Sequence, residues 1–227
     1  MTNFTPIDAF ICGHDISYVG TYFDQVLLTD RLSFSGNEKG RAHAKKMIER
    51  LKGVGKHFSF RLKRVQKYAE FMQLPPFSLP ELPPQYSNWV PDIHRKFVQK
   101  WSVQHLEGWL FTMGFCVGEL RNASIILLLC YDFQVNFAIG FDNEIAKIKD
   151  RLQGVTKHWA LSATRLEGHQ LGRPFTQKYQ RLSPMVNAIV QGMSKPEITV
   201  AHLVAVIQSL LAELAEVERL AIEIKEA

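Results

Sequence analysis

Residues 50–57 read RLKGVGKH and residues 151–158 read RLQGVTKH, so six of the eight positions are identical. The match extends outward at the same offset of 101 residues, because Lys46 aligns with Lys147 and Arg64 aligns with Arg165. A match of this extent is uncommon by chance in a chain of 227 residues. It indicates an internal duplication of a structural unit.

The apolar residues of each copy recur with helical spacing. At 100° per residue they fall on one side of a helix, which is the pattern of an amphipathic helix that faces a core. The predicted core residues are Leu51, Val54, Phe58, Leu62 and Val65 in the first copy, and Leu152, Val155, Trp159, Ala163 and Leu166 in the second.

A second set of residues lies about a third of a turn from the apolar side and is identical in the two copies. We call Lys46, Arg50, Gly53, His57 and Arg64 the first basic stripe, and Lys147, Arg151, Gly154, His158 and Arg165 the second basic stripe. Arginine suits phosphate through its fork of donors, and lysine adds a point charge. The eight basic side chains are therefore candidate ligand-binding residues. Each glycine lowers helix stability by about 1 kcal/mol relative to alanine and leaves a gap between the arginine and the histidine.

Two interpretations of these stripes do not involve catalysis. In the first, the chain is an interaction or regulatory protein, and the stripes bind an anionic partner, either an acidic protein or nucleic acid. In the second, the stripes are packing seams whose cations meet the protein's own carboxylates, such as Glu107 or Glu119. We expect the first function, with no cofactor and no metal.

The third interpretation is enzymatic. An arginine and a histidine seven residues apart on a helix, present twice, resemble the Arg-x4–6-His motif of HEPN ribonucleases. The resemblance implies metal-independent RNA cleavage, with His57 and His158 transferring protons and Arg50 and Arg151 stabilising the phosphate. A leucine follows each arginine here, whereas that family usually has a polar residue at this position.

The composition is that of a globular protein, with 46% hydrophobic and 22% charged residues and a net charge of +5. The charge is concentrated, because residues 39–67 contain eleven lysines or arginines and a single acid, Glu49. Cys12, Cys116 and Cys130 form no CxxC pair, and the N-terminus lacks a basic segment followed by an apolar one. These features predict a reducing, cytoplasmic location without a signal peptide.

The fold class expected is all-α. Six of the ten prolines fall in residues 74–91, which predicts a stiff, non-helical connector. The predicted units are a first helical unit at 1–73, the connector at 74–91, a second helical unit at 92–175 and a C-terminal helix pair at 176–227. Thr5, Pro6 and Asp8 predict the start of the first helix, and a second helix is expected from about Glu38 to Met72.

Two further segments bear on whether the chain contacts a membrane or a second copy of itself. The apolar region 109–141 is interrupted by charged and polar residues, so it predicts a buried helix rather than a membrane span.

Residues 197–226 carry a heptad seam, which predicts an edge helix packed on the protein's own bundle, with a homodimer contact as the alternative. The seam residues are Val200, Leu203, Ile207, Leu210, Leu214, Val217, Ala221 and Ile224.

Overall fold

The computed structural model describes residues 4–78, 83–100, 105–195 and 197–227. Within these ranges it does not describe the side chains of 53–56 and 83–87. These residues form an all-α protein without strands, as the sequence predicts. The helices are α1 (Pro6–Ser33), α2 (Glu38–Phe71), α3 (Pro83–Lys100), α4 (Leu106–Phe137), α5 (Asp142–Leu166), α6 (Arg173–Gly192) and α7 (Val200–Glu226).

The first two helices begin where the sequence predicts. Thr5 is the N-cap of α1, and its backbone N–H donates to Asp8 Oδ2 at 2.8 Å, while Pro6 occupies the first helical position. Asn37 caps α2, because its side-chain Oδ1 accepts from the backbone N–H of Gly40 at 3.0 Å. Both caps satisfy backbone donors that have no partner within the helix.

The prediction of a non-helical connector was wrong for residues 83–91, which belong to α3. Pro83 and Pro84 stand in the first turn of the helix, where the missing N–H costs nothing. Pro91 lies inside the helix and removes one hydrogen bond. Trp89, Ile93 and Phe97 recur at helical spacing in α3 and are buried. The packing of α3 against α1 therefore outweighs the loss of that hydrogen bond.

Helices α1 and α4 form the centre of the molecule and approach through small residues. A Cβ added at Gly114 would overlap the carbonyl oxygen of Phe10, and one added at Gly13 would overlap the carbonyl oxygen of Phe111. Gly118 packs in the same way against Ser17. The residue numbers rise together on both helices, so the two helices run in the same direction.

The remaining helices surround this pair. α2 and α3 pack on α1, α5 packs on α4, α6 packs on α5, and α7 contacts α6, α4 and α1. The predicted apolar stripes face this core, because Leu51, Phe58 and Leu62 are buried on α2 and Leu152 and Trp159 are buried on α5. Val54 lies outside the described side chains.

The heptad seam of α7 packs on the chain's own helices. Leu203, Ile207, Leu210, Leu214 and Val217 are buried in the common core. A dimer through residues 197–226 would therefore use the outer side of α7 rather than the seam, and it stays a prediction.

Among the helices that the structure describes, α4 and α7 are long and apolar enough to cross a membrane by length and composition. The apolar window of α4 is largely buried by its neighbours, which is the environment that the sequence predicts for residues 109–141. The window of α7 is much less buried, although its seam faces the core.

Candidate functional site

The first basic stripe is divided between the surface and the core. Lys46, Arg50 and His57 are exposed on α2, and none of them forms an ion pair with a described residue. Arg64 instead turns inward, where its Nε donates to Asp15 Oδ2 at 2.7 Å and its Nη2 donates to Asp15 Oδ1 at 2.7 Å. This stripe therefore offers three side chains to a partner and uses the fourth for internal pairing.

Asp15 is the centre of the first of two charge clusters inside the bundle. Its side chain is completely buried, and Arg61 donates to its Oδ1 at 2.8 Å in addition to the bonds from Arg64. Arg61 also donates to Glu218 Oε1 of α7 at 2.5 Å and lies over the ring of Tyr18. Because a buried carboxylate needs compensation, this cluster fixes α2 and α7 on α1.

The second basic stripe is divided in a similar way. Lys147, His158 and Arg165 are exposed on α5, whereas Arg151 is half-buried between two carboxylates. Its Nε donates to Glu119 Oε2 at 2.6 Å, and its Nη1 donates to Asp24 Oδ2 at 2.9 Å. Burial disfavours its charge, but Glu119 and Asp24 raise the pKa of Arg151 above its usual value. The expectation that cations meet carboxylates such as Glu119 is met at this position.

A cavity of about 370 Å³ opens beside Arg151, between α1, α3, α4 and α5. Its polar wall consists of Asp24, Glu119, Arg151 and His94. The remaining lining residues are small or apolar, namely Gly20, Val90, Pro91 and Phe115. A concave site with apolar walls and a few convergent polar groups is the usual form of a small-molecule site.

His94 forms the α3 side of this cavity. Its ring lies 3.9 Å from the ring of Phe115 and 5.6 Å from that of Phe111, measured between centroids. Desolvation, and to a smaller extent the charge of His158, lower the pKa of His94 to about 4. His94 is therefore neutral at pH 7.

The glycine of the second stripe leaves open space, as the sequence suggests. A Cβ added at Gly154 would meet no atom within 4 Å, so no described neighbour fills the gap between Arg151 and His158. The equivalent Gly53 belongs to the segment whose side-chain environment lies outside the description.

The structure assigns the two stripes to different neighbourhoods. α2 packs chiefly on α1, whereas α5 packs on α4 and α6. The sequence-based candidates also omit Asp15, Asp24 and His94, which the fold brings to Arg64, to Arg151 and to the cavity. A signal was available for the first two, because both acids interrupt the largely apolar sequence of α1.

The cysteines belong to the core rather than to a site. Cys12, Cys116 and Cys130 are unpaired and buried, and desolvation raises the pKa of each thiol. Buried thiols of this kind are inert as nucleophiles. Across the described ranges, no group of three or more His, Cys, Asp or Glu residues could hold a metal ion.

Known proteins give no guide to the function of this site, so its function is inferred from its own residues. No protein-family model, no curated protein and no solved structure matches this chain.

Proposed function

We propose that this protein is a non-enzymatic binding protein for an anionic partner, and that the partner is nucleic acid. The observation that carries the proposal is the exposed, unpaired positive charge of α2. Lys39, Lys46, Arg50, Lys63 and Lys67 are all exposed, and none of them forms an ion pair with a described residue.

The shape of α2 supports a polymeric anion. A helix of 34 residues is about 50 Å long at 1.5 Å per residue, and its cations recur along this length. A nucleic-acid backbone presents phosphates at regular intervals, and Lys and Arg bind them while releasing counterions. The exposed Lys147 and Arg165 of α5 provide a second, smaller set of cations.

Internal ion pairs limit which residues take part. Arg64 and Arg151 are held by the carboxylates of Asp15, Asp24 and Glu119, so we assign them to positioning the helices. Of the two basic stripes, the proposal therefore keeps Lys46, Arg50 and His57 on α2 and Lys147, His158 and Arg165 on α5. These act together with the exposed Lys39, Lys63 and Lys67 of α2.

The test is titration of labelled single-stranded RNA, followed by fluorescence anisotropy at 50 and 200 mM salt. With about four phosphate contacts, the affinity should fall roughly 50-fold over this range, because the logarithmic slope is about −0.7 per contact for single strands. The variant Lys46→Gln/Arg50→Gln should bind more weakly and should lower the slope by about 1.4.

A charge-matched control is available on α6. Lys178→Gln/Arg181→Gln removes the same two charges, but both side chains already pair with Glu213. An equal loss of affinity in the control, or no binding at 50 mM salt, would contradict the proposal. His57→Ala and His158→Ala remove no permanent charge and should hardly change binding measured at pH 8. Cleaved RNA on a gel, lost in these histidine variants, would favour a ribonuclease instead.

We also propose that α1–α2 and α4–α5, which lie in the predicted units 1–73 and 92–175, derive from one duplicated unit. The contact of Gly13 with Phe111 and that of Gly114 with Phe10 exchange under an offset of 101 residues. The hydrogen bond from Ser17 Oγ to Phe115 O, at 3.1 Å, corresponds in the same way to the contact of Gly118 with His14 O. These reciprocal contacts share the offset of the repeated octapeptide and support a two-fold relation between the units.

A further inference from the structure

Helix α2 exposes an aromatic ring among its cations. The side chain of Phe60 is 60% exposed and is not packed on the hydrophobic core. Among the described residues, no other aromatic ring contacts it. Single exposed apolar residues are common on protein surfaces, so the surroundings of Phe60 decide whether it has a binding role.

The neighbours of Phe60 on this side of α2 are lysines. At 100° per residue, Lys46 and Lys67 lie within about 40° of Phe60 around the helix axis. Lys63 follows Phe60 after one turn of the helix, and Lys67 follows it after two turns. All three lysines are exposed, and none forms an ion pair with a described residue. The ring therefore lies within the cationic surface of α2 rather than beside it.

An anchored guanidinium covers one face of this ring. The Cζ atom of Arg64 lies over the Phe60 ring, 5.0 Å from its centre. Arg64 is itself held by two hydrogen bonds of 2.7 Å to the buried carboxylate of Asp15. A cation over an aromatic face is attracted by the ring electrons, so this contact orients Phe60. A ring that is already oriented loses less conformational freedom when a partner stacks on it.

A ring among cations suits an unpaired nucleic-acid base. In a duplex the bases stack on one another and present only their edges in the grooves, so a ring on a helix surface does not reach a base face. In a single strand the base faces stack on aromatic side chains, while Lys and Arg bind the flanking phosphates. A lipid surface would require a broad apolar face on the helix, whereas lysines surround Phe60.

We propose that the nucleic acid bound by α2 is single-stranded, and that an unpaired base stacks on Phe60 while the flanking phosphates bind Lys63 and Lys67. This inference rests on the proposed function of α2, and it adds a residue that contacts the base rather than the phosphate. Phe60 contributes affinity without contributing charge, and it tolerates any base because every base has a π face.

The experiment measures binding of the whole chain to three labelled probes by fluorescence anisotropy at 50 and 200 mM salt. The probes are oligodeoxythymidine, an abasic deoxyribose-phosphate chain of the same length, and the duplex of oligodeoxythymidine with oligodeoxyadenosine. Oligodeoxythymidine should bind more tightly than the abasic chain, because the two probes carry the same charge and only the first has bases to stack.

The variant Phe60→Ala should weaken the binding of oligodeoxythymidine about fivefold or more, which is the usual contribution of one base stacked on an aromatic side chain. Binding of the abasic chain and of the duplex should not change. The salt dependence should also stay the same, because no charge is removed.

Two further variants serve as controls. Phe60→Trp keeps an aromatic face and should retain the affinity for oligodeoxythymidine. Phe34→Ala removes a phenylalanine that is 81% exposed at the C-terminal end of α1, and it should leave the affinity unchanged.

The outcomes distinguish this inference from the proposed function. Absence of binding to all three probes at 50 mM salt would contradict the proposed function itself. Salt-dependent binding that Phe60→Ala leaves unchanged would overturn only the inference, as would tighter binding of the duplex than of oligodeoxythymidine. An equal loss of affinity for the abasic chain would show that Phe60 supports the lysines and does not contact a base. Binding to phosphatidylserine vesicles without binding to any oligonucleotide would overturn both and identify a lipid surface as the partner.

Discussion

Asp15 and Glu119 show how single buried charges determine the arrangement of this protein. Each carboxylate lies on one of the two central helices and is paired with arginine from a neighbouring helix, Arg61 and Arg64 in one case and Arg151 in the other. Removing one partner of such a pair leaves an uncompensated charge in the core, which commonly costs about 3–5 kcal/mol. The basic residues that the sequence predicts as binding residues therefore fall into two groups. Some form internal ion pairs, and the others carry charge at the surface.

The residue-scale prediction concerns His14. This side chain is fully buried and faces Asp15, Glu218, Arg61 and Arg121, and desolvation lowers its pKa from 6.5 to about 4. The unfolded chain takes up the proton near pH 6.5, whereas the folded chain takes it up near pH 4. Between these values the unfolded state binds more protons, so stability falls as the pH falls. The contribution of His14 is about 3 kcal/mol over this window.

Urea unfolding at several pH values between 7.5 and 4.5 checks this prediction. His14→Gln should reduce the loss of stability on acidification, while His94 continues to contribute in the same direction. Glu218 does not obscure the effect above pH 4.5, because its pKa is lowered from that value and the stability it contributes is lost only as the pH falls below it. His57→Gln, a change at an exposed histidine, should leave the pH dependence unaltered, and an unchanged slope in His14→Gln would contradict the argument.

At the scale of elements, the same residue type has opposite roles in α4 and α5. Gly114 lies where α1 and α4 touch, and any Cβ there would overlap the backbone of Phe10. Gly154 lies on α5 beside open space. Packing requires only the first glycine. The second lowers the stability of its helix, and no close packing contact compensates for that loss.

The two glycines therefore predict opposite effects of one substitution. Gly114→Ala should destabilise the protein by about 2–3 kcal/mol or prevent folding, because backbone atoms cannot move aside cheaply. Gly154→Ala should stabilise it by up to about 1 kcal/mol through helix propensity. Thermal and urea unfolding of the two variants side by side provide the measurement. Destabilisation by Gly154→Ala would mean that the open space beside it serves a structural purpose.

At the scale of the whole molecule, the two halves of the chain share one core. Phe10, Ile16 and Val19 of α1 are buried together with Leu110 and Val117 of α4. α7 then closes the bundle, because its seam packs on α6, α4 and α1. The proline-rich region separates the halves along the sequence, but the packing of α1 on α4 joins them.

This arrangement predicts that neither half folds alone. Fragments 1–104 and 105–227 should each lack a cooperative thermal transition, because each loses the partner of its central helix. Mixing them in equal amounts should restore helicity and a cooperative transition, which circular dichroism can follow. A cooperative transition of either fragment by itself would show that the halves are independent domains.

Much of the fold was accessible from local sequence patterns. The start of α1 at Thr5 and Pro6, the extent of α2 and the apolar sides of α2 and α5 follow from capping and periodicity, which depend on neighbouring residues only. The helix at 83–91 was not predicted, because burial of Trp89 and its neighbours by α1 outweighs the local preference of proline.

The sequence by itself determined the helical class of this protein and the residues that carry its positive charge, because both are local properties. Only the tertiary structure decided which charges remain free. It brings Asp15 to Arg64, brings Asp24 and Glu119 to Arg151, and leaves Lys46 and Arg50 exposed. It also encloses Glu119 and His94 in one cavity, although they belong to different helices. Pairings between residues so distant in sequence depend on how α1 and α4 pack, and the spacing within any one helix does not specify that packing.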